Sequence, residues 1–138
     1  MANLPRISII TIVYNGVFEI ETTIQSVLNQ AYSNLEYIII DGASTDGTQM
    51  VVDRFNSSIA YFESSPDEGI SDAFNKGIAH ATGDLIGLIN AGDILAPNAL
   101  QHIANNYLTI ENADKMLVLH GNIQMGINSG KVYRPFRL

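Results

Sequence analysis

Ile7-Ser8-Ile9-Ile10-Thr11-Ile12-Val13 is β-branched at nearly every position, and its reading decides the fold. A strand-length apolar run, closed by Asn15-Gly16, is the pattern of a strand buried on both faces. The period then changes. Ile20, Ile24, Val27 and Leu28 fall at i, i+4, i+7 and i+8, one face of a helix. Residues 35–40 read as a second strand, ending at Asp41. Thr48 opens a short helix with Val51, Val52 and Phe55 on its apolar side, and residues 59–62 form a third strand. After the break at residues 64–69, Ile70, Ala73, Phe74, Gly77, Ile78 and Ala81 make the most regular helical stripe in the chain. Residues 85–89 are a fourth strand, ending near Asn90-Ala91-Gly92-Asp93. Pro97 suits the first turn of a helix whose inner face is Leu100, Ile103, Ala104, Tyr107 and Leu108. A fifth strand is expected at residues 116–119, and a hairpin over 121–133 turning at Asn128-Ser129-Gly130. Strands alternating with helices predict an α/β fold. We expect a three-layer α/β/α sandwich with a mostly parallel central sheet, both faces covered, and right-handed crossovers.

The 138 residues fit one domain, 1–138. A hydrophobic fraction of 46% with 15% charged residues excludes a disordered chain. Seven Lys+Arg against fourteen Asp+Glu give a net charge of -7, which disfavours nucleic acid as a partner. The absence of cysteine excludes a disulfide scaffold, a thiolate metal site and a Cys nucleophile. Met1-Ala2-Asn3-Leu4-Pro5-Arg6 lacks the apolar run of a signal peptide, and the longest apolar stretches are strand-length, so no transmembrane segment is expected. A cytoplasmic protein is expected, able to work peripherally at the inner face of a membrane.

Ligands of open α/β sheets sit beyond the carboxyl ends of the strands. Acids collect there: Asp41 after the second strand, Asp67 and Glu68 after the third, Asp93 after the fourth, with Asp46 in the loop that Asp41 opens. Carboxylates sharing one crevice repel unless a cation joins them, and oxygen ligands select magnesium or manganese, which bridge to substrate phosphates. Any one of these acids can equally cap a helix or form a turn. As a set at successive strand ends they point to a shared cation. Residues 41–48 carry two glycines and the hydroxyls of Ser44, Thr45 and Thr48 beside a helix start. They lack the GK[ST] ending of a phosphate loop, and no Gly-x-Gly-x-x-Gly follows the first strand. The loop reads equally as a turn with a helix cap or as a contact to a polar ligand. His80, His102 and His120 read as surface or satisfied histidines.

Thr11-Ile12-Val13-Tyr14-Asn15, Ser26-Val27-Leu28-Asn29-Gln30 and Asp41-Gly42-Ala43-Ser44-Thr45-Asp46-Gly47-Thr48 resemble the opening of family-2 glycosyltransferases. Those are inverting enzymes of GT-A (Rossmann-like) fold that use nucleotide-diphosphate sugars. Ser65-Pro66-Asp67-Glu68-Gly69-Ile70-Ser71-Asp72-Ala73-Phe74-Asn75-Lys76-Gly77 is similar to a segment of the bacterial polysaccharide-biosynthesis branch. Gly83-Asp84 and Asn90-Ala91-Gly92-Asp93 stand where that family has its acidic metal motif. The resemblance covers about residues 6 to 121, with the motifs in family order.

The resemblance implies roles. Thr11, Tyr14 and Asp41 would line a nucleobase pocket, Asp41 accepting a base N–H, with Asn15, Ala91 and Gly92 completing the nucleotide site. Asp67, Asn75 and Lys76 would line the donor-sugar side. Asp93 would hold a divalent cation, Mn2+ or Mg2+, against the diphosphate. A UDP-sugar is the commonest donor in the family, and the acceptor would be a glycan or a lipid-linked molecule. There are departures. Gly42 stands where many members carry a second acid, and Asn90 and Gly92 replace acids of the metal motif, leaving Asp93. Family members continue into an acceptor-binding region that carries the general base. The base is therefore expected beyond Leu138, with residues 1–138 as the donor-binding portion of a longer enzyme, truncated on its acceptor side. Phe136 and its apolar neighbours are expected against a partner subunit, in a homodimer. Two rivals stand beside this reading. One is a non-catalytic nucleotide-binding or assembly module lacking the base. The other is a receiver-like domain phosphorylated on Asp41, which residues 11–15 disfavour because they offer no acid pair.

Overall fold

The computed structural model describes residues 3–110, 123–125 and 131–133. Its first elements are β1 (Ile7–Val13), α1 (Ile20–Leu28), β2 (Leu35–Asp41), α2 (Thr48–Asp53), β3 (Tyr61–Ser64), α3 (Ile70–His80), β4 (Leu85–Asn90) and α4 (Ala99–Leu108). All seven residues of β1 are buried. The reason is its place in the sheet, whose order is β3-β2-β1-β4 with every pairing parallel.

The side chains of β1 sort by parity onto two faces. Ile7, Ile9 and Val13 join Tyr37 and Ile39 of β2 against Ile20, Ile24 and Val27 of α1, Val52 of α2, and Leu100 and Ala104 of α4. Ile10 and Ile12 join Ile38 and Ile40 against Ala73 of α3. Three layers result, as expected. Each fully buried isoleucine is worth roughly 1.5–3 kcal/mol, so the β1–β2 ladder dominates the core. Helix α3 lies directly on β1: a Cβ at Gly77 would run into Ile10 Cγ2.

Three expectations need correction. The third strand starts at Tyr61 rather than at residue 59, because Asn56–Ser58 forms a 3-10 turn and pairing begins only as Ala60 N–H reaches the Tyr37 carbonyl. The α3 stripe buries only Ala73 and Gly77, leaving Ile70 and Ile78 exposed. Among the described residues the sheet is also not covered throughout. Helix α3 packs on β1 and β2, so edge strand β4 leaves Ile86 and Leu88 exposed on that face.

The amino edge of the sheet is closed by one carboxylate. Glu36 is 6% exposed. It accepts from Ser8 Oγ, from Thr82 N–H at 2.7 Å and Oγ1 at 2.8 Å, and from Arg6 Nη2 at 2.9 Å. Gly83 N–H donates to Ser8 Oγ at 2.8 Å. Burial pushes the Glu36 carboxyl up, but these donors outweigh it and hold it at about 2. The network ties β1, β2 and the α3–β4 turn together at the end opposite the acid-rich loops.

The chain divides into two compact units, Met1–Asn105 and Asn106–Leu138. In the second, β5 (Ile123–Met125) and β6 (Lys131–Tyr133) pair antiparallel, in the expected hairpin. The strand expected at 116–119, the turn at 128–130, His120 and Phe136 lie outside the described residues. Among the described residues no helix is long and apolar enough to cross a membrane.

Candidate functional site

The loop at residues 41–48 is a bracket. Asp41 ends β2 fully buried, and its carboxylate accepts from Ser44 N–H at 3.0 Å, Ser44 Oγ, and Ser64 Oγ at 2.6 Å. Ser44 Oγ accepts Asn15 N–H at 2.7 Å, Thr48 Oγ1 accepts Gly16 N–H at 3.0 Å, and Asp46 Oδ2 accepts Val17 N–H at 3.1 Å. Three consecutive amides of the β1–α1 turn therefore end on three side chains of this loop. Asn15 Oδ1 accepts Thr45 N–H at 2.9 Å in return. The hydroxyl of Thr48 holds the Asp46 carboxyl below its usual range. Of the two readings of this loop, the turn is what the hydrogen bonds show.

Beside the bracket, at the carboxyl edge of the sheet, lies a cleft of about 470 Å³. Residues 12–16 and Glu19 supply one wall, Asp67, Gly69, Ile70 and Ala73 a second, and Asn90 and Ala91 a third. Tyr14 is 69% exposed. The β3–α3 wall is fixed by Lys76. Its ammonium donates to the Pro66 carbonyl at 2.7 Å and to Ser65 Oγ at 3.2 Å, and lies 3.6 Å from Asp72. Ser65 Oγ donates in turn to Glu63 Oε1 at 2.6 Å, which holds the Glu63 carboxyl below its usual range. His80 is exposed, as one of the two readings of it expected, and stacks on Tyr61 with ring centroids 3.7 Å apart.

Of the residues expected in the site, Tyr14, Asn15, Asp67 and Ala91 line the cleft. Thr11 does not. It is fully buried, its hydroxyl 3.0 Å from the Tyr37 hydroxyl, so it cannot touch a base. Burial pushes the Tyr37 phenol up. Asp41 is likewise closed off, its carboxylate taken by its own loop. Asn75 stands exposed on α3, and Lys76 is engaged with the turn rather than the cleft. Gly92 and Asp93 follow the lining residues Asn90 and Ala91, with Gly92 at φ 96°.

Asp41 and Asp93 share an edge of the sheet. Val13 of β1 pairs with Asp41, and Ile12 pairs with Asn90, so the ends of β2 and β4 flank β1. Two strand spacings put them roughly 10 Å apart. The acids do not, however, converge on one point. Among the described residues no group of three or more His, Cys, Asp or Glu could hold a metal ion. Four of the five acids serve their own loops by accepting a nearby amide: Asp41 from Ser44, Asp46 from Thr48, Asp67 from Gly69, and Asp93 from Asn90. The expected cluster is corrected accordingly.

The sequence reading missed what holds the Asp93 loop. Thr23, Ser26 and Gln30 form a polar stripe on and just beyond α1. Thr23 Oγ1 donates to the Asp93 carbonyl and accepts Gly92 N–H, both at 2.9 Å. Ser26 Oγ accepts Leu95 N–H at 3.1 Å. The Gln30 amide donates to the Ala96 carbonyl at 2.9 Å and accepts Leu100 N–H at 3.2 Å. Their spacing of i, i+3 and i+7 was the available signal.

The family model for Glycosyl transferase family 2 matches residues 8–133. The chain belongs to this family. An uncharacterized glycosyltransferase of Mycobacterium tuberculosis is 39% identical over 94 residues, which are 67% of this chain and 36% of that protein. One from Haemophilus influenzae is 32% identical over 123 residues, 87% of this chain and 48% of that one. The chain thus spans between about a third and a half of these two family-2 relatives. Among solved structures it is similar to the mannosyltransferase PcManGT of Pyrobaculum calidifontis in complex with GDP-Man and Mn2+. The TM-score is 0.65 at 28% identity, over 75% of this chain and 31% of that one. It is also similar to S. aureus TarS 1-349 in complex with UDP-GlcNAc, with TM-score 0.65 at 18% identity over 75% and 31% of the two chains. That second likeness shows the GT-A fold alone.

Proposed function

We propose that this family-2 chain is the donor-binding part of a glycosyltransferase. It would transfer a sugar, with inversion, from a nucleotide-diphosphate sugar to a glycan or lipid-linked acceptor in cell-surface polysaccharide synthesis, on the cytoplasmic side. The observation that carries this is the cleft at the carboxyl edge, where the exposed Tyr14, Asn15, Asp67 and Ala91 meet from three separate segments of the family match. A UDP-sugar is the first donor to try. GDP-mannose is the second, since the mannosyltransferase similar to this chain was solved with it.

In this proposal Tyr14 carries the planar base on its ring. The bracket loop, with Asp41 at its centre, fixes the wall on which that ring stands. Asp93 would hold the cation. Its Oδ2 accepts from the Asn90 amide and side chain at 3.1 and 3.2 Å, and no hydrogen bond of the described residues uses Oδ1. One free carboxylate oxygen fits a divalent ion that takes its other ligands from a diphosphate and water. Such an ion supplies Lewis-acid stabilisation to the leaving diphosphate. The lone acid also supports a second reading, a module that binds nucleotide without turning it over.

Incubation with labelled UDP-sugars and GDP-mannose, Mn2+, and glycan or polyprenyl phosphate acceptors tests the proposal. Label transfer with release of nucleoside diphosphate is expected. Nucleotide binding without release in every combination supports the second reading. No nucleotide binding overturns both.

A further inference from the structure

Gly42 is not in a left-handed conformation; the glycines that are, among the described residues, are Gly47, Gly69 and Gly92. Its backbone would accept any residue, so the need for glycine comes from space. A Cβ at position 42 would lie 2.7 Å from Asp67 Oδ2 and 3.3 Å from Tyr14 Cδ2. Carbon and oxygen do not approach so closely without bonding. A side chain at 42 and the carboxylate at 67 therefore compete for one volume, at the carboxyl end of β2. Here the carboxylate has it. Asp67 is held in place, with Oδ1 accepting Gly69 N–H at 2.9 Å and the preceding Ser65-Pro66 turn clamped by Lys76. None of the hydrogen bonds among the described residues uses Oδ2. A preorganised acceptor thus stands near the exposed Tyr14 ring, both lining the cleft.

We propose that Asp67 reads the ribose hydroxyls of the bound nucleotide, and that glycine at position 42 is the steric condition for it. The inference rests on the nucleotide-sugar reading above and deepens it. A base resting on Tyr14 carries its ribose at the ring's edge, and a carboxylate, which only accepts, is matched by a vicinal pair of O–H donors. The acid reaches the nucleoside from the β3–α3 turn rather than from β2.

Calorimetric titration of UDP and 2′-deoxy-UDP into wild type, Asp67→Ala and Gly42→Ala tests this, with circular dichroism as the check on folding. Wild type should bind 2′-deoxy-UDP roughly tenfold more weakly than UDP, the usual scale for a hydrogen bond to a charged group. Asp67→Ala should bind both alike. Gly42→Ala keeps the carboxylate but pushes it aside, and should also lose the distinction. A deoxy penalty that survives in Asp67→Ala, or that is absent from wild type while UDP still binds, overturns the assignment and leaves the nucleotide-sugar reading standing. Failure of wild type to bind UDP or GDP-mannose removes that parent reading itself, and the assignment with it.

Discussion

Replacing Glu36 by glutamine removes the charge at the amino edge of the sheet and leaves its shape. In the folded chain this carboxyl titrates at about 2, against an ordinary value of 4.5. The folded-state value is depressed, so the stabilisation is complete above the unfolded value and is lost as pH falls toward 2. A gap of about 2.5 units corresponds to about 3 kcal/mol at neutral pH. At pH 3 less than half of it remains. The stability difference between wild type and Glu36→Gln should therefore be about 3 kcal/mol at pH 7 and shrink by about 2 kcal/mol by pH 3. Urea unfolding followed by circular dichroism, at intervals between those pH values, measures it. The other carboxylates titrate in both proteins and cancel in the difference. A difference that stays constant with pH would refute the assignment of this network as the acid-sensitive latch, as would one under about 1 kcal/mol at pH 7.

Further outcomes follow from the same contacts. Thr23→Val orphans Gly92 N–H and the Asp93 carbonyl; it should cost about 2 kcal/mol in urea unfolding and weaken manganese-dependent nucleotide binding roughly tenfold. Glu36→Gln, at the opposite end of the sheet, should leave nucleotide affinity unchanged in the same titration. Gly77→Ala forces α3 off Ile10 and should cost about 1–3 kcal/mol, part of it recovered by adding Ile10→Val, as read from thermal melts. Tyr37→Phe leaves the Thr11 hydroxyl buried without its partner, at about 1–2 kcal/mol, yet should not move the nucleotide dissociation constant, because neither residue lines the cleft.

The fold was largely legible in the sequence. A mostly β-branched seven-residue run set between helical stretches fits an inner strand of a parallel sheet, buried on both faces, and β1 is one. What escaped was the reach of each helix. The α3 stripe is as regular as a fully covered helix would need, but periodicity does not say how many strands a helix spans. Ile70, Ile78, Ile86 and Leu88 consequently stay exposed. The candidate cleft was half legible. Tyr14, Asn15, Asp67 and Ala91 follow from motif order and strand-end position. Thr11 and Asp41 did not behave as expected, because a polar residue on an inner strand is satisfied by its neighbour across the sheet, here Tyr37, or by its own loop, here Ser44 and Ser64. The acids failed to converge for a related reason: Asp41, Asp46, Asp67 and Asp93 each have an amide of their own loop within reach, and a local bond needs no cation. The Thr23, Ser26 and Gln30 stripe went unread because their partners are backbone groups some seventy residues away.

The central claim is that a nucleoside diphosphate and a divalent cation meet at the carboxyl edge, with Asp93 as the protein's hold on the ion. Titrating UDP into the protein with and without Mn2+, for wild type and Asp93→Ala, tests it most directly. The account predicts binding that is strengthened by manganese in wild type, with the manganese effect gone in Asp93→Ala while circular dichroism stays unchanged. Absence of UDP binding, or a manganese effect of equal size in both proteins, would contradict it.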